Sequence, residues 1–236
     1  MMNGRPYESE AVRAVTGQTI RPGELNLTRR AAEFCRLGPG DRIVDVGCGT
    51  GATVAFLNSR CDARAIGLDL SAVLLAESRN QWPGLNLINA DAMALPLKKA
   101  RVRAIYCECV CSLLTDAASA LRGFYHALQP GGHLIVADLY WRTKDGAIPS
   151  LTAAGGCLKG AVDRQTMVQR IETAGFEVDL WEDHSTALKQ LAARMVWAGL
   201  SLRQWWGVDC TQGICREDLR PGYCLIIAHK KERDGG

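Results

Sequence analysis

The chain has 236 residues and a formal net charge of +3, and 47% of its residues are hydrophobic. This length can bury a substantial core as one domain. The charge is nearly balanced and no basic stripe is interleaved with aromatic residues, which disfavours a nucleic-acid partner. No apolar run is long enough to insert in a membrane, residues 1–10 carry no signal-peptide core, and the ten cysteines are expected to be thiols. We therefore expect a cytoplasmic protein.

Two helical segments are predicted at the start of the chain. Residues 12–21 and 26–35 have helical patterns, and the turn Arg21-Pro22-Gly23 separates them. Residues 38–41, with sequence GPGD, form the turn that leads to the first strand. We expect residues 1–37 to form a helical cover on the domain.

A glycine loop follows the first predicted strand. The strand at residues 43–46 leads to Gly47, Gly49 and Gly51, and residues 52–58 are predicted to be a helix. Glycines let a backbone approach a ligand closely, and a helix N-terminus offers free N–H groups. This pattern indicates a nucleotide site, although Gly47-x-Gly49-x-x-Ala52 also fits the looser dinucleotide fingerprint.

Acidic residues at successive strand ends distinguish a dinucleotide site from a site for a ligand that carries a positive charge. Asp45 would repel a pyrophosphate but suits the positive amino group of S-adenosylmethionine. Asp69 closes the second predicted strand and can accept ribose hydroxyls in either class. Asp91 closes the third predicted strand, where it can accept a hydrogen bond from an adenine amino group. Each acid alone could be a surface or capping residue, whereas the three together favour S-adenosylmethionine.

The motifs in this order resemble the class I S-adenosylmethionine-dependent methyltransferases. The segments that carry the resemblance are DVGCGTG at 45–51, GLD at 67–69, DA at 91–92 and QPGG at 129–132. The resemblance implies an α/β, Rossmann-like class I methyltransferase fold with a mostly parallel seven-stranded sheet and an antiparallel last strand. It also implies a small-molecule methyl acceptor. The implied cofactor-binding residues are Asp45, Gly47, Cys48, Gly49, Gly51, Asp69, Leu70, Asp91, Ala92 and Cys107.

The rest of the chain extends this single domain. Residues 38–140 are predicted to be the cofactor-binding core, and residues 141–236 the C-terminal part. Strands are predicted at 102–109, 133–139, 176–181 and 223–229, and helices at 73–79 and 117–128. The long interval before the last strand is expected to hold a helical insertion at about 185–215, with helical spacing over 187–206. Trp197 is expected to pack this helix onto the domain, and Trp205-Trp206-Gly207 to act as a lid.

A general base is required only when the acceptor atom starts protonated. Glu108 lies at the carboxyl end of the fourth predicted strand, where acceptors meet the methyl group in the resembled family, and is the preferred candidate. Asp138, Tyr140 and His184 are alternatives near strand ends, and each also has a structural interpretation.

Cysteines suggest a second, more specific function. Cys107, Cys109 and Cys111 alternate and would point to one side if the strand continued. Cys109 and Cys157 also match cysteines of the arsenite methyltransferase branch, which implies a thiol-bound metalloid as an alternative acceptor, with Cys210 or Cys215 as a later thiol. No residue is predicted to hold a resident metal ion. Methylation of a quinone ring, as in the neighbouring ubiquinone and menaquinone branch, is a comparable alternative.

Two more distant classes are considered. Tyr140-x-x-x-Lys144 imitates the dyad of short-chain dehydrogenases, but it follows a strand and runs into Asp145-Gly146, so it lacks the required helix. A non-catalytic module that only binds the cofactor would carry the same glycines and acids. The oligomeric state is not indicated by the sequence.

Overall fold

The structure is a computed structural model that describes residues 6–143, 156–202 and 220–231. Its strands are β1 (Arg42–Val46), β2 (Arg64–Asp69), β3 (Asn86–Asn89), β4 (Val102–Glu108), β5 (Leu128–Arg142), β6 (Phe176–Asp183) and β7 (Arg220–Lys230). They form one seven-stranded sheet in the order β3-β2-β1-β4-β5-β7-β6. The pairs among β1 to β5 are parallel, whereas β7 runs antiparallel to both β5 and β6. The predicted fold, including the antiparallel last strand, is confirmed.

Seven α-helices occupy the described part of the chain. They are α1 (Glu10–Thr16), α2 (Asn26–Phe34), α3 (Ala52–Arg60), α4 (Ala72–Gln81), α5 (Ala117–Ala127), α6 (Arg164–Thr173) and α7 (Ser185–Trp197). Short 3-10 turns lie at Pro6–Glu8, Gly17–Thr19 and Cys111–Leu113. Side-chain caps fix several helix starts: Ser71 accepts from the amide of Leu74 at 3.2 Å, and Asp116 accepts from that of Ser119 at 2.9 Å. None of these helices combines the length and the apolar character needed to cross a bilayer.

Hydrophobic side chains of the central strands alternate between two core clusters. In β1, Ile43 belongs to one cluster and Val44 to the other. In β4, Tyr106 and Cys107 divide in the same way. Such alternation is expected when helices cover both faces of a parallel sheet. The carboxyl ends of these strands are left to form a site.

Several predicted boundaries are corrected. Strand β3 ends at Asn89, so Asp91 lies two residues beyond it. Strand β4 ends at Glu108 because Cys109 has φ of +58°, a left-handed conformation that does not continue a strand. Strand β5 begins at Leu128 rather than at His133, with a register shift against β4.

The predicted helical insertion is present in part. Helix α7 ends at Trp197, and the lid predicted at Trp205-Trp206-Gly207 lies outside the described residues, as do Cys210 and Cys215. The expectation that Trp197 packs onto the domain is wrong: its exposed fraction is 93%, whereas Leu188, Leu191 and Met195 form the buried face of the helix. Those three follow the 3, 4 and 7 spacing of one helix face, and Trp197 does not.

Candidate active site

A cavity of about 670 Å³ lies at the carboxyl ends of the parallel strands. Its wall includes the glycine loop, the ends of β2 and β4, residues 90–92 and residues 18–22 of the N-terminal cover. Gly156, Cys157 and Lys159 complete its wall. The volume falls within the range of sites for small molecules, and the position is that of ligand sites in open α/β sheets.

Most predicted site residues line this cavity. The wall contains Gly47, Cys48, Gly49, Asp69, Leu70, Asp91, Ala92, Glu108, Cys109 and Cys157. Asp45, Gly51 and Cys107 are not among the described wall residues, and the cofactor contacts predicted for them stay predictions.

The glycine loop takes a conformation that only glycine adopts readily. Gly47, Gly49 and Gly51 have φ of +72°, +52° and +80°. A Cβ on Gly47 would lie 2.2 Å from Cγ2 of Val110, and one on Gly51 would lie 2.3 Å from Oγ of Ser78. Glycine is therefore required at both positions by conformation and by space. Gly51 packs against helix α4 instead of facing the cavity.

Asp69 joins the glycine loop to the end of β2. Its Oδ2 accepts a hydrogen bond from the amide of Gly49 at 2.7 Å, and its Oδ1 accepts one from the amide of Ser71 at 2.7 Å. These bonds hold the carboxylate in the cavity wall. Leu70, beside it in the wall, has an exposed fraction of 55% and offers an apolar surface to a ligand.

Residues 90–92 form a second acidic position in the wall. Asp91 accepts a hydrogen bond from the amide of Met93 at 2.9 Å through Oδ1. Ala92 lies next to it, and both belong to the wall although β3 ends earlier. The predicted pairing of an acid with a small apolar residue is thus found in the cavity.

Asp45 is buried inside the sheet. Strand β1 continues through Val46, and Val46 rather than Asp45 reaches the wall. Burial, together with the nearby carboxylate of Glu108, raises the pKa of Asp45 well above its ordinary value. Burial therefore disfavours the charged form of this carboxyl group, on which its predicted attraction for a positive amino group depends.

Glu108 lies in the wall but is already engaged by protein groups. Its Oε2 lies 3.1 Å from Nη1 of Arg21, in an ion pair whose two side chains are 1% and 8% exposed. The hydroxyls of Thr28 and Thr53 each donate to this carboxylate at 3.0 Å. Because a guanidinium and two hydroxyls already occupy this carboxylate, it is not free to contact an acceptor, which does not favour the predicted role of Glu108 as a general base.

Cys109 and Cys157 both line the cavity, as predicted. Sγ of Cys109 lies 3.4 Å from the hydroxyl of the buried Tyr223. Burial raises the pKa of Cys109 well above its ordinary value and that of Cys157 to about 12. Burial therefore disfavours, in both groups, the thiolate form that metal and metalloid ligation requires.

A metalloid site finds no support in this arrangement. Cys107 and Cys109 pack against different core clusters, so their side chains do not lie on the same side of the sheet. Cys107 is fully buried, and its Sγ lies 3.3 Å from that of Cys111, which begins the 3-10 turn after β4. The prediction of three sulfurs on one side of a continuing strand is wrong because the strand ends at Glu108. Among the described residues, no group of three or more His, Cys, Asp or Glu side chains is arranged to hold a metal ion.

The other candidate bases lie outside the described cavity wall. Asp138 is fully buried and accepts hydrogen bonds from the amide and hydroxyl of Ser112, at 2.9 and 2.7 Å. Tyr140 lies within β5, so it lacks the helix of a dehydrogenase dyad, and Lys144 lies outside the described residues. His184 contacts Glu182 at 3.0 Å beside the start of α7.

The sequence interpretation missed the contribution of the cover. Residues 18–22 line the cavity, and the hydroxyl of Thr50 donates to the carbonyl of Gln18. The sequence places Arg21 only at a helix end and a turn. No local feature predicts that Arg21, which precedes Pro22-Gly23, is buried, because its partner Glu108 is distant in the chain.

Comparison with known proteins agrees with this geometry. The family described as "Methyltransferase domain" matches residues 43–132. O-methyltransferase cnsE of Penicillium expansum is 35% identical over 220 residues, which cover 86% of this chain and 77% of that protein. The chain belongs to the class I S-adenosylmethionine-dependent methyltransferases. The cofactor of this family is S-adenosylmethionine, which excludes the dinucleotide interpretation of the glycine loop.

Solved structures of similar fold include proteins with different reactions. The [4+2]-cyclase SpnF superposes with a TM-score of 0.76 at 21% identity, over 96% of this chain and 93% of that one. Geranyl diphosphate C-methyltransferase from Streptomyces coelicolor A3(2) has a TM-score of 0.69 at 18% identity, over 96% and 83% of the two chains. This chain spans about half or less of the length of several other curated relatives. The fold therefore does not by itself identify a reaction or an acceptor.

Proposed function

We propose that this chain transfers the methyl group of S-adenosylmethionine to a small-molecule acceptor bound in the same cavity. The observation that carries the proposal is the continuous wall that runs from the glycine loop and Asp69 to Cys109 and Cys157. The cofactor supplies a sulfonium methyl group, to which the acceptor atom forms a bond while the carbon–sulfur bond breaks and its electron pair stays on sulfur. The chain has to bind, orient and desolvate the two reactants.

The cofactor roles of the wall residues are part of this proposal. The loop residues Gly47, Cys48 and Gly49 would approach the methionine portion, because their backbone carries no bulky obstacle there. Asp69 would accept the ribose hydroxyls, since its carboxylate is held at the edge of the loop by two amides.

The adenine portion would lie against residues 90–92. Asp91 can accept a hydrogen bond from the adenine amino group, and Leu70 and Ala92 supply apolar surface in the same wall. Asp45, Gly51 and Cys107 would act indirectly, by supporting the loop and the ends of β1 and β4.

The contacts of Glu108 limit which kinds of acceptor can react without a general base. The described cavity wall contains no histidine. The carboxylate of Glu108, at the end of β4, is paired with the guanidinium of Arg21. We therefore propose an acceptor oxygen that is already ionised or acidic, such as a carboxylate, which needs no strong base. Lys159 in the wall would attract such an anion. The O-methyltransferase name of the relative in Penicillium expansum also supports an oxygen acceptor.

The test is an acceptor screen with S-adenosylmethionine and two matched panels, one of carboxylic acids and one of the corresponding neutral alcohols. Formation of S-adenosylhomocysteine and of a product heavier by one methylene unit would be followed by mass spectrometry. Turnover of acids and not of alcohols is expected, with a KM that rises in Lys159→Ala and not in the control Lys189→Ala, which lies on α7. Cofactor binding without turnover of any acceptor would favour the non-catalytic alternative, and preferred turnover of alcohols would contradict the acidic-acceptor proposal.

The remaining predictions about the whole chain also stay proposals. We propose one domain made of the cover (1–37), the cofactor-binding core (38–140) and the C-terminal part (141–236), with no nucleic-acid partner. A cytoplasmic location is supported by the eight cysteines among the described residues, all of which are free thiols.

A further inference from the structure

Arg21 reaches from the N-terminal cover into the cavity wall. Its side chain is almost fully buried and pairs with Glu108 at 3.1 Å. Its Nη2 donates hydrogen bonds to the hydroxyls of Thr28, at 2.7 Å, and Thr53, at 2.9 Å. One side chain of the cover therefore contacts α2, α3 and the end of β4.

The hydrogen bonds around Arg21 form a closed network. Each threonine hydroxyl accepts from Arg21 and donates to Glu108. The remaining Nε donates to the carbonyl of Glu24 at 3.0 Å. A buried ion pair is tolerated when its hydrogen-bonding groups are satisfied in this way, and loss of one member leaves the others unpaired.

The backbone on both sides of Arg21 is strained. Ile20 has φ of +49° and Glu24 has φ of +55°, and the left-handed region is especially unfavourable for a β-branched residue. Ile20 also lies over the glycine loop, since its Cδ1 would be 3.9 Å from a Cβ on Gly49. Such a conformation persists only where surrounding contacts impose it, and Arg21, which bonds to the carbonyl of Glu24, lies between the two strained residues.

We propose that Arg21 is a positioning residue that latches residues 17–28, here called the cover segment, over the bound cofactor. Residues 18–22 of the cover segment line the cavity next to the glycine loop, so opening of the segment exposes the cofactor site to solvent. Breaking the Arg21–Glu108 pair releases both the contacts and the backbone strain, which favours the open state. Cofactor entry and release then occur through this opening. The identity of the ligand rests on the proposed function, whereas the latch does not.

Amide hydrogen exchange of the free protein tests the latch without any ligand. In Arg21→Met, amides of the cover segment should exchange about tenfold or more faster, whereas those of β4 and β5 keep their protection. The matched control is Arg13→Met, because Arg13 belongs to the same cover and pairs with Glu77 at 2.9 Å, outside the described cavity wall. That control should leave exchange of the cover segment within twofold of wild type. Should Arg21→Met fail to fold, Thr28→Val removes one bridging hydroxyl with little change of shape and should act in the same direction.

Ligand release provides the second readout. The dissociation rate of S-adenosylhomocysteine, measured by stopped flow, should rise about tenfold in Arg21→Met, recover partly in Arg21→Lys and stay unchanged in Arg13→Met. Unchanged exchange of the cover segment in Arg21→Met, or in Thr28→Val if that variant replaces it, would overturn the proposal, as would a uniform rise throughout the core. If wild type binds no S-adenosylhomocysteine, the proposed function fails, while the exchange experiment still decides the latch.

Discussion

The carboxylate of Asp69 and the amide of Gly49 are joined by a hydrogen bond of 2.7 Å. This contact fixes the glycine loop after β1 to the end of the neighbouring strand β2. A charge-assisted bond of this kind is stronger than one between neutral groups and holds both partners in place. The two features that the sequence placed at separate strand ends thus form one preorganised side of the cavity.

Glycine at position 47 is expected to be required for space as well as for conformation. Gly40 has nearly the same φ, +79° against +72°, but a Cβ there would meet nothing within 4 Å, whereas one on Gly47 would meet Val110 at 2.2 Å. Gly40→Ala should lower the free energy of unfolding by about 1–2 kcal/mol through backbone strain alone. Gly47→Ala should cost more and weaken S-adenosylhomocysteine binding at least tenfold, because Val110 is stiff and lines the cavity. Urea unfolding and calorimetric titration of both variants check this, and equal effects would contradict it.

Asp138 predicts a pH dependence of stability. Burial raises the pKa of its carboxyl from 3.8 to about 6, despite hydrogen bonds from Ser112 and Leu139. The folded state therefore binds more protons than the unfolded state between about pH 4 and 6, so this group lowers stability as pH rises through that window. The cost levels off above the folded pKa at about 3 kcal/mol. The free energy of unfolding of Asp138→Asn minus that of wild type should therefore rise by up to about 3 kcal/mol from pH 4 to pH 7. A difference that is constant with pH would contradict the assigned shift.

Cys157 is expected to be unreactive in the native protein. Because burial raises the pKa of its thiol to about 12, its thiolate fraction at pH 8 should be about 10³-fold below that of an unfolded cysteine. Alkylation by iodoacetamide, followed by peptide mass spectrometry, should therefore be slower by about that factor than in urea. Rapid alkylation of Cys157 in the folded protein would show a thiolate and reopen thiol chemistry at the cavity.

Helix α7 offers a comparison between an exposed and a buried residue. Trp197 is 93% exposed, whereas Leu191 is completely buried. Trp197→Ala should change the free energy of unfolding by less than about 0.5 kcal/mol, and Leu191→Ala should cost about 2–5 kcal/mol. Thermal and urea denaturation would measure both. A large loss in Trp197→Ala would mean that the tryptophan packs against the protein after all.

Features with local causes were predictable from the sequence. Gly47 and Asp69 follow from a strand, a turn that needs positive φ and an acid at a strand end, all within a short segment. The antiparallel last strand followed from the family resemblance. These elements define the fold and the cofactor side of the cavity.

Features that depend on distant contacts were not predictable. Burial of Arg21 depends on Glu108 and Thr53, which the fold alone brings to it. The alternating cysteines suggested a continuing strand, and only the left-handed backbone of Cys109 ends it. Trp197 is the last residue of its helix and is exposed, although its aromatic side chain favours a buried position. Each error concerns a residue whose conformation or burial is not determined by the neighbouring sequence.

The most direct test of the account is calorimetric titration of the reduced protein with S-adenosylhomocysteine, with NADH in parallel. The wild type should bind S-adenosylhomocysteine and not NADH. Asp69→Ala should weaken that binding about 100-fold or more, because it removes charged acceptors proposed for the ribose hydroxyls and releases the amide of Gly49. The control Asp116→Ala, which alters only the start of α5, should bind like wild type. Binding of NADH, or binding of S-adenosylhomocysteine that is indifferent to Asp69, would contradict the proposed site.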